Sequence, residues 1–265
     1  MQALACDLDR TLIAEDVVLR PRTLAAIEAA RTAGLHVFIV TGRMFQSVRP
    51  YALAAGIHDP VVCYQGALVA DPISGEFLLH VPMPLAEARE VISAVEATGF
   101  TILCYVDDEL YVARETAESD AYAGFQELEV HVVGDLLGWL PKAPTKLVTV
   151  AEPTLLDRLE VEMKEQFDGR LYISKSLPHF LEFAGPNVTK AAGLDFLAEH
   201  LAFSRARTVA FGDGENDVEL LDWAGYAVAV ANAHAKVLAL ADLVCPPVDE
   251  EGVAQVIEAY LDSST

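Results

Sequence analysis

Apolar positions along this chain alternate between two spacings, one typical of helices and one typical of buried strands. The segment RPRTLAAIEAARTAG, which ends at Gly34, has apolar residues at helical intervals, and the next segment, LHVFIV (35–40), is continuously apolar. Gly34 predicts the end of the helix, and the short apolar run predicts a strand that is covered on both faces. This stretch therefore predicts one helix followed by one strand of a parallel sheet.

The same alternation covers both ends of the chain. Further strands are predicted from Ala3 to Leu8 and in PVVCY, RTVAFGD and YAVAV, and further helices in FQSVRPYALAAG, KAAGLDFLAEHLAF, DVELLDWAG and EEGVAQVIEAYL. Strands that are separated by helices of this length imply crossover connections, and hence parallel pairing with helices on both faces. We therefore expect an α/β fold built on a doubly wound parallel sheet.

The middle of the chain has a different pattern. Two helical stretches, LAEAREVISAVEATG and TLLDRLEVEMKEQF, are each followed by strand-like runs, FTILCYV and ELYVAR in the first case and RLYIS and HFLEF in the second. Several of these runs are close enough for hairpins, and proline and glycine mark both edges of the region. We expect an α+β domain at 83–186, inserted into a sheet domain formed by 1–82 and 187–265.

Composition limits the classes of function. The 265 residues are 53% hydrophobic, which predicts a compact globule, and 18 Lys and Arg against 40 Asp and Glu give a net charge of −22. An acidic surface repels nucleic acid and anionic lipid, so we expect neither as a partner. No basic leader with a cleavable apolar segment opens the sequence and no apolar run reaches about 18 residues, so neither export nor membrane spanning is expected.

The four cysteines are scattered along the chain and form no C-x-x-C pair. They are Cys6, Cys63, Cys104 and Cys245. This spacing favours reduced, mostly buried thiols over a disulfide framework or a zinc site. We therefore expect a cytoplasmic protein. The sequence leaves its oligomeric state open.

Polar residues that could perform chemistry follow the predicted strands of the sheet domain. In an open parallel sheet, functional groups gather at the carboxyl ends of the strands. Four clusters occupy such positions or lie just past the insertion: Asp7 with Asp9, Thr41-Gly42-Arg43, Lys190, and GDGEND at 212–217. We expect these clusters to converge on one site.

Each cluster taken alone also has a structural interpretation. Thr41 can cap a helix, Lys190 can lie on a solvated helix face, and Asp213 or Asn216 can cap the helix that follows. A calcium loop that begins at Asp213 fails, because its sixth position is Val218 rather than glycine. The case for a site therefore depends on the clusters acting together.

Together the clusters contain the groups that phosphoryl transfer requires. That reaction needs a nucleophile, a proton donor for the leaving oxygen, and positive charge around the phosphate oxygens. An aspartate can attack phosphorus, and a second carboxyl group can protonate the leaving group and later activate water. Acidic oxygens from distant segments can hold Mg²⁺, whose charge offsets the repulsion between the paired aspartates.

These motifs resemble those of a known family. D-L-D-x-T-L after an apolar strand, T-G-R after the next, a lysine just past an insertion, and G-D-x-x-N-D near the end are similar to the four motifs of the haloacid dehalogenase superfamily. Because the insertion follows the second motif and has an α+β pattern, the chain most resembles the Cof-type phosphatase branch, which carries a C2-type cap domain.

The resemblance implies a role for each motif residue. The nucleophile falls on Asp7 and the general acid/base on Asp9. The groups that bind phosphate fall on Thr41, Gly42, Lys190 and Asn216, where Asn216 reaches the phosphate or supports the shell around the metal. The magnesium ligands fall on Asp7, the backbone carbonyl of Asp9, Asp213 and, directly or through a water molecule, Asp217.

Two positions depart from the pattern of the branch. Arg10 stands where glycine is frequent, and it could meet a substrate phosphate or turn outward; Gln65 opens Gln65-Gly66-Ala67 where the branch often has N-G-A. In the inserted domain, the resemblance implies a cap that closes over the site. Our candidates for contacts with the leaving group are Tyr105, Asp107, Lys175 and His179, and the expected lid loop is SKSLPHFLEF (174–183).

The expected activity is hydrolysis of a small phosphorylated metabolite, such as a sugar phosphate or a cofactor-type phosphomonoester, with Mg²⁺ as cofactor. A phosphomutase or phosphonate hydrolase on the same scaffold stays open as an alternative. So does a binding or regulatory relative without turnover.

Overall fold

The structure is a computed structural model that describes residues 1–126 and 128–263. The chain divides into two compact units. The sheet unit consists of Met1–Leu79 and Thr189–Thr265, and the inserted unit is His80–Val188.

Strands and helices alternate along the sheet unit and are mixed in the inserted unit. The strands are β1 (Ala3–Cys6), β2 (His36–Ile39), β3 (Val61–Cys63), β4 (Leu68–Ala70), β5 (Phe77–His80), β6 (Thr101–Val106), β7 (Glu109–Val112), β8 (Val130–Val132), β9 (Lys146–Val150), β10 (Tyr172–Leu177), β11 (Phe180–Ala184), β12 (Thr208–Gly212), β13 (Tyr226–Val230) and β14 (Leu243–Cys245). The helices are α1 (Pro21–Thr32), α2 (Phe45–Ala54), α3 (Leu85–Thr98), α4 (Ala117–Gln126), α5 (Leu136–Trp139), α6 (Pro153–Gln166), α7 (Lys190–Leu201), α8 (Val218–Trp223), α9 (Ala235–Leu240) and α10 (Gly252–Asp262).

The sheet unit is built on a parallel five-stranded sheet with the order β14-β13-β12-β1-β2. β1 lies between β12 and β2, and its Ala3 is in register with Thr208 on one side and His36 on the other. Leu4 and Cys6 alternate along β1 with Ala3 and Ala5, which belong to the same apolar cluster as residues of α7, α8 and α9. α1 and α10 pack against each other. The predicted α/β fold with a parallel sheet is confirmed.

A smaller sheet adjoins the parallel one. β3, β4 and β5 form it, with β3 and β4 antiparallel, and a parallel bridge between Val40 and Val62 links it to the end of β2. A short 3₁₀ turn, Tyr64–Gly66, connects β3 to β4. This turn therefore follows a strand at the same edge of the unit as the Thr41-Gly42-Arg43 segment.

The inserted unit is a six-stranded sheet with helices of its own. The strand order is β10-β11-β9-β6-β7-β8, antiparallel except for β7 and β8. Residues of α3 and α6 pack with Ile102, Cys104 and Leu147 in one apolar cluster, and α4 packs on β6, β8 and β9. The expectation of a lid loop at 174–183 is wrong, because β10 and β11 form a hairpin there with a turn at Pro178 and His179. Ladder hydrogen bonds along RLYIS and HFLEF extend almost to the turn.

Two further sequence expectations concern the cysteines and the membrane. All four cysteines are buried and free of disulfide bonds. Within the described residues, the helices lack the combination of length and apolar character that crossing a bilayer requires.

Candidate active site at the carboxyl edge of the parallel sheet

Asp7 is held at the end of the central strand. Its backbone N–H donates to the carbonyl of Phe211 at 3.0 Å, which extends the pairing of β1 with β12 by one residue. The side chain is buried, and its Oδ1 accepts a hydrogen bond from Lys190 Nζ at 2.5 Å. The first and third sequence motifs therefore meet directly, although 183 positions separate them in the chain.

Lys190 occupies the first turn of α7. Thr189 caps this helix, because its Oγ1 accepts from the N–H of Ala192 at 3.1 Å. A cation is unfavourable at a helix N-terminus, but Lys190 Nζ lies 2.5 Å from carboxylate oxygens of both Asp7 and Asp217. Burial alone would lower the pKa of Lys190, yet these two carboxylates outweigh it and hold that pKa above the ordinary lysine value. Lys190 therefore stays charged in a buried position.

The loop after β12 supplies two further carboxylates. Asp217 is fully buried; its Oδ1 accepts from Lys190, and its Oδ2 accepts from the backbone N–H groups of Asp213 and Gly214 at 3.0 and 2.9 Å. These bonds fold the G-D-x-x-N-D segment into a tight turn. Asp217 thus orders the loop that carries Asp213.

Asp7, Asp213 and Asp217 form a group that could hold a metal ion. Each offers one carboxylate oxygen, and these atoms lie within 4.8 Å of one another. Burial and then the Asp217 carboxylate raise the pKa of Asp7 well above its ordinary value, although Lys190 acts in the opposite direction. The same two causes raise the pKa of Asp213 to about 7, against the opposing charges of Arg10 and Lys190. The group therefore carries more negative charge than its cationic neighbours offset, and its oxygen donors suit Mg²⁺.

Asp9 lies outside this acidic group and has a different partner. Arg43 binds its carboxylate through two bonds, from Nε to Oδ2 at 2.8 Å and from Nη2 to Oδ1 at 2.5 Å. Arg43 is 2% exposed at its side chain, against 29% for Asp9. A buried guanidinium with a fork geometry fixes the direction of the carboxylate. Arg43 had no predicted role, although a cation shortly after a strand end is a signal for one.

Thr41, Gly42, Gln65 and Asn216 lie together beside the acidic group. Thr41 is buried, and its Oγ1 accepts from the N–H of Arg43 at 3.2 Å. Gln65 donates its backbone N–H to the Thr41 carbonyl at 3.0 Å, and its side-chain Oε1 accepts from Asn216 Nδ2 at 3.1 Å. The second and fourth motifs are therefore bridged by Gln65, one of the two departures noted in the sequence.

Arg10, the other departure, reaches back to the acidic loop. Its Nε lies 3.5 Å from Asp213 Oδ2, and its Nη2 donates to the Asn232 carbonyl at 3.3 Å. The side chain is 46% exposed. Arg10 thus lowers the charge excess around Asp213 from the solvent side, which the sequence did not predict.

The four candidates in the inserted unit have separate environments within it. Tyr105 is buried and donates its hydroxyl to that of Tyr122 at 2.7 Å, next to Lys146 Nζ at 5.3 Å from the Tyr105 ring. The remaining three lie at its surface: Asp107 pairs with Lys142 at 2.5 Å, Lys175 pairs with Asp157 and Glu160 of α6, and His179 is exposed in the β10–β11 turn. Within this unit, the four candidates do not form one cluster.

Comparisons with known proteins agree on one family. A curated relative from Bacillus subtilis, 5-amino-6-(5-phospho-D-ribitylamino)uracil phosphatase, is 28% identical over 264 residues, which are 97% of this chain and 96% of the relative. A pyridoxal phosphate phosphatase from Escherichia coli is 26% identical, with 98% of both chains covered. Among solved structures, a haloacid dehalogenase-like hydrolase from Bacteroides thetaiotaomicron shares the fold, with a TM-score of 0.89 at 24% identity over 98% of this chain and 99% of the other.

The family model for haloacid dehalogenase-like hydrolases matches residues 4–257. That range includes all four motifs from which the resemblance was inferred. The chain belongs to the haloacid dehalogenase-like hydrolases.

Proposed function

We propose that this protein is a magnesium-dependent phosphatase that hydrolyses a small phosphorylated metabolite through an aspartyl-phosphate on Asp7. One observation carries the proposal: Asp7, Lys190, Asp213 and Asp217 form a single buried charged group at the carboxyl edge of the sheet. Curated relatives that cover nearly the whole chain bear the names of phosphatases. These names support the reaction class without defining a substrate.

The acidic group fits a magnesium ion by its charge and its donor atoms. Asp7, Asp213, Asp217 and the backbone carbonyl of Asp9 would hold it. When bound, magnesium supplies the positive charge that favours the ionised form of Asp7 and polarises the phosphoryl group. Without compensation, the raised pKa of Asp7 disfavours the nucleophilic carboxylate.

In the first half of the reaction, an oxygen of Asp7 attacks phosphorus and the ester bond breaks. Lys190 contacts Asp7 and would offer its ammonium group to the phosphoryl oxygens, and the Thr41 hydroxyl and Gly42 amide follow the neighbouring strand β2. Asp9 gives its proton to the departing oxygen, so the leaving group departs as a neutral alcohol.

In the second half, Asp9 accepts a proton from a water molecule whose oxygen attacks the phosphorus of the aspartyl-phosphate. The bond between phosphorus and Asp7 breaks, which releases inorganic phosphate and restores the carboxylate. Arg43 holds the ionised Asp9 carboxylate by two bonds, and this pairing fixes its direction for the step in which it accepts a proton.

The proposal is tested by phosphate release from p-nitrophenyl phosphate and from a panel of phosphorylated metabolites, with Mg²⁺ and with EDTA. We expect release of inorganic phosphate that requires Mg²⁺, at rates that differ strongly across the panel. A phosphomutase would instead transfer the phosphoryl group to its product and require a bisphosphate activator. Absence of release from every member of the panel would contradict the proposal.

A further inference from the structure

Gln65 carries a buried hydrogen-bond donor without a partner. The residue is 2% exposed, and its Nε2 has no hydrogen-bond partner among the described residues. The opposite end of the same amide is satisfied, because Oε1 accepts from Asn216 Nδ2 at 3.1 Å. A buried amide N–H group left unpaired is costly, so a position that retains one requires an explanation. With Asn216 Nδ2 as the donor, Gln65 Nε2 is the end of the amide that faces away from Asn216.

The unpaired nitrogen lies against the backbone of Gly42. A Cβ atom added to Gly42 would meet Gln65 Nε2 at 2.5 Å, so glycine is needed for this close approach. Gln65 is also tied to the preceding residue, because its N–H donates to the Thr41 carbonyl at 3.0 Å. The donor is thus placed beside the segment to which the proposed function assigns phosphate binding.

The turn that presents Gln65 has an unusual backbone. Tyr64, Gln65 and Gly66 are consecutive left-handed residues with φ of 51°, 58° and 102°. Such conformations are unfavourable for residues with a side chain and persist where surrounding contacts impose them, often at functional sites.

The start of α7 helps to impose this conformation. A Cβ at Gly66 would lie 2.0 Å from the carbonyl oxygen of Thr189, the residue immediately before Lys190. The turn is therefore fixed between the second motif and the start of the lysine helix.

We propose that Gln65 Nε2 donates a hydrogen bond to a phosphoryl oxygen of the substrate, while Asn216 acts as a positioning residue that orients the Gln65 amide. This inference rests on the proposed function and adds a neutral donor to the cationic one supplied by Lys190. A neutral amide suits this position, because it can donate to a phosphoryl oxygen and leaves the net charge of the acidic group unchanged.

The decisive variant is Gln65→Glu, which keeps an acceptor for Asn216 and deletes the donor. We expect the inhibition constant of inorganic phosphate to rise about 10- to 100-fold, the range for one hydrogen bond to a charged group. The value of kcat/KM should fall by a similar factor. Gln65→Met, which adds no charge, should weaken phosphate binding in the same direction. Gln65→Asn keeps an amide and tolerates the left-handed backbone, so it should recover part of the loss.

The matched control is Gln255→Glu, which makes the same change on α10, where Gln255 Nε2 donates to the Glu250 carbonyl at 2.8 Å. It should leave phosphate inhibition within about twofold of the unmodified protein, as is usual for a surface change. An Asn216→Ala substitution should weaken phosphate binding in the unmodified background and have little further effect in Gln65→Met. That non-additivity separates positioning from direct contact.

Two results would overturn the inference. One is phosphate inhibition unchanged in Gln65→Glu and Gln65→Met while circular dichroism shows both to be folded. The other is loss of the fold in both variants, which would make Gln65 a structural residue. If the unmodified protein hydrolyses no phosphomonoester but binds phosphate in a Gln65-dependent way, the proposed function fails and the donor assignment stands.

Discussion

Each of the two units buries a lysine beside carboxylates, and the two arrangements differ in charge. In the sheet unit, Lys190 contacts Asp7 and Asp217, and Asp213 belongs to the same acidic group. In the inserted unit, Lys146 pairs with Glu182 at 3.1 Å, and both are almost fully buried. A carboxylate raises the pKa of each lysine against the opposing effect of burial.

The acidic group of the sheet unit holds more carboxylates than its buried lysine can neutralise. The pKa values of Asp7 and Asp213 are raised by burial and by other carboxylates, so their ionised forms are disfavoured in the absence of a cation. A buried ion pair such as Lys146–Glu182 contributes to stability mainly because breaking it leaves a buried charge. An excess of buried negative charge indicates a site for a cation. A buried ion pair is neutral, so it needs no ligand to balance it.

The largest expected effect is on turnover in Asp7→Asn. Because an amide is no nucleophile toward phosphorus, we expect kcat to fall by at least about 10⁴-fold. The metal-free variant should also be more stable at pH 8, by about 1 kcal/mol, because one of three like charges is removed. Phosphate-release kinetics and urea unfolding measure the two effects. The control is Asp222→Asn on the exposed side of α8; steady turnover by Asp7→Asn would refute its role as nucleophile.

In the inserted unit, Glu182→Gln should lower the stability, whereas Asp7→Asn in the sheet unit should raise it. Loss of the Glu182 carboxylate deprives buried Lys146 of its counter-charge and should lower the unfolding free energy by about 3 kcal/mol. Urea unfolding that follows the inserted unit measures this change. Glu162→Gln, on the exposed surface of α6, should change stability by less than about 0.5 kcal/mol. Equal stability of the two variants would show that the Lys146–Glu182 pair is not structural.

A smaller effect on turnover is expected from Arg43→Lys. An ammonium group keeps the charge but cannot make both bonds to Asp9, so we expect kcat to fall about 10- to 100-fold. Inhibition by inorganic phosphate should change much less, because Arg43 acts through Asp9. If phosphate inhibition weakened as much as kcat fell, Arg43 would be a phosphate ligand rather than a positioning residue.

The smallest expected effect is the pH dependence of stabilisation by Mg²⁺. The pKa of Asp213 is about 7 in the folded protein against an ordinary value of 3.8, so between these values the folded state holds a proton that the unfolded state has lost. Raising pH through that window therefore destabilises the metal-free protein.

At pH 5.5 magnesium must displace the proton on Asp213, whereas at pH 8 that proton has already left. Magnesium should therefore stabilise the folded protein more at pH 8. We expect a rise in Tm of roughly 5–10 °C at pH 8 when free Mg²⁺ is about 100 times its Kd, and a smaller rise at pH 5.5. Differential scanning calorimetry measures both values. Asp213→Asn should reduce the difference without removing it, because the pKa of Asp7 is also raised. An equal Mg²⁺ effect at the two pH values in the unmodified protein would contradict the assignment.

Several elements of the fold were absent from the sequence prediction. α4 was missed because it has no long apolar stripe: among the residues whose side chains are described, only Tyr122 and Ala123 are buried apolar ones. Its start was visible as a reciprocal cap between Thr116 and Ser119. β9 was missed because KLVTV begins with Lys146, a charged residue that only its partner Glu182 makes tolerable in a buried strand.

What the sequence determined by itself about this protein is local. Periodicity identified the strands and helices of the sheet, and polar residues at strand ends identified Asp7, Asp9, Thr41 and Asp213 as candidates, since both signals arise within short stretches of chain. Tertiary structure decided which groups became partners. Asp9 contacts Arg43 rather than the acidic group, and Gln65 bridges Thr41 and Asn216. These contacts join residues that are distant in the sequence, so a pattern within a short stretch of chain cannot predict them.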